Sequence, residues 1–129
     1  MPHLSIQYSK PLQQEINVDD FCDQLATEIL SLGPYPLGGI RVRAFPTEHF
    51  AIADQHPQNN FVDMVFRIGK GRSEAEKKLT GECIMKLAEA FFAEQLASGF
   101  FMLSLEIIEI SKEFSWKTNS VHQRLQNNS

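Results

Sequence analysis

Apolar and polar residues alternate from the start of the chain. Pro2, Leu4, Ile6 and Tyr8 are interleaved with His3, Ser5 and Gln7, the period-two pattern of a strand. A proline at a strand's first position removes no important ladder donor, and Lys10-Pro11 ends the run. The period then lengthens. Phe21, Leu25, Ile29 and Leu32 recur at helical spacing, with Cys22 and Ala26 widening the stripe. This predicts a helix capped by Asp19 or Asp20 and running to about Leu32. Gly33 suits the position after the helix, and Pro34 and Pro36 forbid its continuation.

Alternation returns over residues 40–45 and is expected to stop at Pro46, with Ile40, Val42 and Ala44 facing one way and Arg41, Arg43 and Phe45 the other. Residues 47–54 read as a short helical turn and 54–60 as a loop. A third strand spans 61–68, apolar apart from Asp63 and Arg67, and Gly69-Lys70-Gly71-Arg72 breaks it. Ser73 and Glu76 form a capping box that opens the longest helix, over residues 74–97, with Ala75, Leu79, Cys83, Leu87 and Phe91 as its apolar stripe. Gly99 ends that helix, a fourth strand covers 101–110, and a polar tail follows over 111–129, its last few residues expected to be disordered.

The order strand, helix, strand therefore occurs twice, over about 2–46 and 61–110, and 129 residues suit one domain over 1–129. A βαβ crossover makes its two strands parallel and lays the helix on one face. The expected fold class is α+β: a tandem βαβ repeat forming a four-stranded mixed sheet with both helices on one side. The other side carries apolar residues and arginines, which predicts an oligomer that packs sheet faces around a centre.

Composition changes this picture in one respect. The net charge is −4, which argues against nucleic acid as a partner, yet Arg41, Arg43, Arg67 and Arg72 are four of the five arginines. A cationic pocket in an acidic protein suits a small anion. Arg41 and Arg43 project from one face of a strand, and guanidinium groups that close call for an anion between them, such as a di- or tricarboxylate. Two surface arginines on an edge strand would show the same spacing. Arg72 opens the long helix, where backbone N–H groups favour anions; a plain glycine-rich turn is the other reading. The two cysteines, Cys22 and Cys83, read as buried free thiols in a reducing compartment. The chain shows no membrane-length apolar run and no signal sequence, which reads as cytoplasmic. No metal-ligand spacing links the histidines; His3 is expected on the helix side as a core residue and His56 in a solvated loop. Asp63 must be paired or lie at a rim.

Pro2 is the remaining candidate. An initiator Met before a small residue is ordinarily removed, and Pro2 would then be a secondary amine at the chain terminus. Buried beside cations, such an amine acts as a base near neutrality. With the Met1-Pro2-His3 start go the Gly39-Ile40-Arg41-Val42-Arg43 strand, the turn from Ile68 to Ser73, and the tail from Trp116 to His122. Together these resemble the 5-carboxymethyl-2-hydroxymuconate isomerase family of the tautomerase superfamily, over nearly the whole chain. Trp116 and Ser120 stand where that family would be expected to have Phe and Asn, which bears on how the tail packs. The resemblance implies a tautomerase fold like that of macrophage migration inhibitory factor, a homotrimer, and a cofactor-free isomerisation of a tricarboxylate dienol in homoprotocatechuate breakdown. It implies Pro2 as the acid/base, with Arg41, Arg43 and Arg72 binding carboxylates or polarising the 2-oxygen. Two alternatives remain at this stage: a tautomerase-fold enzyme for another enol acid, and a non-catalytic trimeric binding protein if Met1 is retained.

Overall fold

A computed structural model describes residues 1–127. Strand β1 (His3–Ser9) pairs in parallel with β2 (Arg41–Thr47) and antiparallel with β3 (Asn60–Ile68), and β3 pairs in parallel with β4 (Phe101–Glu109). The sheet order is β2-β1-β3-β4, so each βαβ unit contributes a parallel pair and the two units meet antiparallel at the centre. Helix α1 (Val18–Ser31) connects the first pair and α2 (Glu74–Phe91) the second.

One sheet face is apolar because every second residue of the central strands is. Leu4, Ile6 and Tyr8 of β1 and Val62, Met64, Phe66 and Ile68 of β3 are buried against Phe21, Leu25 and Ile29 of α1 and Ile84 and Ala88 of α2. Each such large side chain stabilises the fold by about 1.5–3 kcal/mol. Phe21 joins the two helices, with its ring 4.8 Å from that of Phe91 and 4.9 Å from that of Phe92.

Several expectations change. The cap of α1 is Asn17, whose Oδ1 accepts from Asp20 N–H at 3.0 Å, and not Asp19 or Asp20. Strand β2 runs through Pro46 to Thr47. It is an edge strand, and since Arg41 N–H donates inward to Pro2 O, alternate residues such as Pro46 turn their nitrogens outward, where no donor is required. Residues 47–54 form no helix; Ala53 and Gln55 take left-handed backbone (φ 50° and 62°) in a loop tied by Asn59 Nδ2 to Ile52 O and Asp54 Oδ1. The capping box stands, with Ser73 N–H donating to Glu76 Oε1 and Glu76 N–H to Ser73 Oγ.

The long helix is broken at Phe92, whose φ and ψ of −101° and 25° separate α2 from α3 (Ala93–Ser98); Gly99 then closes α3 at φ 82°. The buried face of α2 is Thr80, Ile84 and Ala88, while Leu79 is 53% exposed. Thr80 reads as polar in sequence, yet its hydroxyl is satisfied by Glu76 O (2.9 Å) and the Tyr35 hydroxyl (2.7 Å). The tail carries a further helix, α4 (Ser120–Asn127), which takes in Gln126 and Asn127 of the last few residues expected to be disordered; positions 128 and 129, the rest of that expectation, lie outside the described residues. Both cysteines are free and half-buried. Among the described residues, no helix is long and apolar enough to cross a membrane.

Candidate active site

Among the described residues, no helix packs on the second sheet face, and the strand register writes its contents in rows. At one end the row reads Arg41, His3, Arg67, Ile108 across β2, β1, β3 and β4. The next reads Arg43, Ser5, Val65, Glu106, and the third Phe45, Gln7, Asp63, Ser104. Asp63 finds its partner there: Ser104 Oγ donates to its Oδ1 at 2.6 Å. Phe45, Met102 and Ile108 leave this face partly apolar and open.

His3 therefore lies on the open face and not among the core residues. Strand alternation runs in phase with Leu4 and Ile6, both buried, so His3 turns the other way. It is flanked by Arg41 and Arg67, and Arg43 Nη1 lies 3.2 Å from its Nδ1. Burial and the charges of Arg41, Arg67, Arg43 and the amino terminus lower its pKa to about 4.

Beside this row a cavity of about 780 Å³ opens at the end of the sheet. Arg41, Arg67, Lys70, Lys112 and Lys117 line it, with Met1 and His3, and among the described residues no carboxylate side chain does. The tail contributes Phe114 and Trp116 to its lining, both of them largely exposed. Burial, then the guanidinium groups of Arg43 and Arg67, lower the pKa of Arg41 from its ordinary value. Burial, then Lys117, Arg41 and Arg72, likewise hold the amino-terminal amine below its ordinary value.

The expected site residues fall in different places. Pro2 is buried at the head of β1, its carbonyl accepting from Arg41 N–H at 3.1 Å; its chain neighbours Met1 and His3 line the cavity and Pro2 itself does not. Arg41 lines the cavity; Arg43 stands one row back and engages His3. Arg72 does not line the cavity. Its guanidinium stacks 4.5 Å above the Tyr35 ring and donates to Pro34 O (2.8 Å) and Gly69 O (3.2 Å), bracing the turn whose Gly69, Lys70 and Gly71 do line it. Its charge still reaches the amino terminus.

Sequence reasoning counted Arg67 among the arginines of a cationic pocket without giving it a role, and did not single out His3, Lys70, Lys112 or Lys117 for the site. Arg67 and His3 were accessible to it through the alternation of β3 and β1 once the two strands are paired. The lysines were not, because they arrive from a turn and from an irregular tail. That tail is held by Asn119, whose Nδ2 donates to Gly38 O at 2.7 Å and touches Met1 Sδ at 3.1 Å, while its Oδ1 accepts from His122 N–H at 3.0 Å. His122 packs so closely on Gly38 that a β-carbon there would meet its Cα at 2.7 Å.

The family model for 5-carboxymethyl-2-hydroxymuconate isomerase matches residues 2–125. The chain is 30% identical to the Escherichia coli 5-carboxymethyl-2-hydroxymuconate Delta-isomerase, over 95% of this chain and 97% of that protein. It is 36% identical to a 5-carboxymethyl-2-hydroxymuconate isomerase from Deinococcus radiodurans R1, whose crystal structure superposes with a TM-score of 0.88 over 96% of this chain and 93% of that one. A fused 4-OT described as a wild-type symmetric trimer shares the fold alone, at 18% identity and a TM-score of 0.63, over 90% and 93% of the two chains. With the matching range spanning both βαβ units and the tail residues that line the cavity, the chain belongs to the 5-carboxymethyl-2-hydroxymuconate isomerase family.

Proposed function

We propose that this protein is an isomerase that converts 5-carboxymethyl-2-hydroxymuconate to its 2-oxo unsaturated isomer, in the cytoplasm, in the breakdown of homoprotocatechuate, and that it works as a homotrimer. The observation that carries the reading is the cavity: among the described residues, five cationic side chains and no carboxylate side chain line it, with the amino terminus of the chain beside them. A tricarboxylate neutralises such a cluster, and guanidinium forks orient it.

In this reading Met1 is removed and the Pro2 nitrogen becomes a secondary amine. The burial and cations that lower the pKa of the present terminal amine would act on the one that replaces it. The neutral amine takes the proton of the 2-hydroxyl. Electrons move from that O–H bond through the diene, and the proton returns from the prolinium to a carbon, leaving a 2-oxo group and a shifted double bond. Negative charge on the oxygen in between is stabilised by a guanidinium, a role for Arg41, with Arg43 and Arg72 binding carboxylates or supporting the groups that do. Homotrimer assembly accords with the open sheet face and its exposed Phe45 and Met102.

The test is ultraviolet assay of the dienol tricarboxylate with protein whose intact mass has been measured. Material lacking Met1 is expected to turn it over, and Pro2→Ala to lower kcat by about 10²–10⁴-fold with melting unchanged. Full turnover by a chain that retains Met1 would overturn the mechanism.

A further inference from the structure

Resting on the isomerase reading of this cavity, we propose that His3 is a neutral hydrogen-bond donor to an oxygen of the bound polycarboxylate, with Arg43 fixing which ring nitrogen carries the proton. The geometry is specific. Guanidinium groups have donors and no acceptor. With Arg43 Nη1 at 3.2 Å, His3 Nδ1 is the acceptor of that bond and carries no hydrogen. A ring unprotonated at Nδ1 is neutral and bears its proton on Nε2.

The ring's surroundings hold it in that form. It lies in register between Arg41 of β2 and Arg67 of β3, with Arg43 of β2 and the amino terminus as the other charged groups that act on it, and all four are positive. Protonation would add a further charge to a face already in excess, and the pKa of about 4 agrees with this. The ring is half-buried and lines the cavity. A neutral donor between two guanidinium groups supplies direction without more charge. Arginines bind carboxylates whether or not reaction proceeds, whereas a fixed N–H aimed at the oxygen that becomes anionic favours the transition state.

Two substitutions separate the ring's two nitrogens. His3→Asn keeps an acceptor near Nδ1 for Arg43 and removes the group at Nε2. His3→Gln places an amide N–H near Nε2 and gives up the acceptor. With folding verified by circular dichroism, kcat/KM is expected to fall about 100-fold in the Asn variant and about tenfold less than that in the Gln variant. A loss in kcat identifies the reacting oxygen as the partner, and a rise in KM a carboxylate. An Asn variant as active as the parent, or a Gln variant equally impaired, overturns the donor role. Nitrogen-15 spectra of the histidine rings give a readout independent of turnover. The Nε2–H form of His3 should persist at pH 6, and its Nε2 signal should shift on addition of 2-oxoglutarate. An imidazolium at pH 6, or a signal unmoved at saturating 2-oxoglutarate, overturns the proposal. Failure of the parent protein to isomerise any enol acid would remove the isomerase reading and leave these spectra to decide His3.

Discussion

The amide of Asn119 donates to the Gly38 carbonyl across 2.7 Å, joining the tail to the loop that leads into β2. The contact works because Gly38 has no side chain: a β-carbon would lie 2.6 Å from His122 Nδ1. Gly38→Ala is therefore expected to lift α4 from its seat, at a cost of about 1–3 kcal/mol. Limited proteolysis across residues 111–118 should be faster in the variant, with KM raised because Trp116 and Lys117 line the cavity. An unchanged digestion pattern would count against this account of the tail.

Arg41 and Arg72 should separate by their effect on stability. Arg72 satisfies two carbonyls and stacks on Tyr35, geometry that a lysine cannot reproduce. Arg72→Lys should cost about 1–3 kcal/mol in denaturant unfolding as well as activity. Arg41→Ala removes a cation that faces other cations, so its melting temperature should stay level or rise while turnover falls.

Acid should destabilise the fold through His3. Its folded pKa of about 4 lies below its ordinary 6.5, so between those values the unfolded chain binds a proton that the folded chain does not. Stability then falls as pH falls from 6.5 toward 4, and is flat with respect to this group above and below that window. Thermal melts at pH 7 and pH 4.5 should differ more for the parent than for His3→Gln. Equal pH dependence would remove His3 as the cause.

The assignment of the α2 face can be checked by a pair of truncations. Ile84→Ala empties a fully buried position and should cost about 2–5 kcal/mol. Leu79→Ala, at a position 53% exposed, should stay within about 0.5 kcal/mol.

These residues also show what sequence can carry. The period-two run of β1 and the spacing of Phe21, Leu25 and Ile29 placed the first strand and α1, because burial on one face imposes those periods directly, and β3 was placed by its apolar run between turn residues. Leu79 and Thr80 defeated the same logic: a threonine whose hydroxyl is satisfied by Tyr35 and Glu76 is a core residue, and no hydropathy pattern reveals that partner. His3 was misplaced by an assignment of strand face, not of strand. The lysines of the cavity reach it through a turn and an irregular tail, whose path depends on single contacts such as that of Asn119 with Gly38 and not on any period.

The antiparallel meeting of β1 and β3 has a consequence for stoichiometry. Two βαβ units related in this way present two equivalent corners, one where β1 begins and one where β3 begins. At the second corner the backbone is continuous, and Asn60 is held there by Ser9 Oγ at 2.6 Å, with Phe61 N–H on the same hydroxyl at 3.0 Å. An interior amide nitrogen has no basic lone pair. Duplicated architecture therefore yields one chain-terminal amine site per subunit and not two, and beside the lysines that also react, an amine-directed reagent should modify one terminal nitrogen per subunit whatever the assembly.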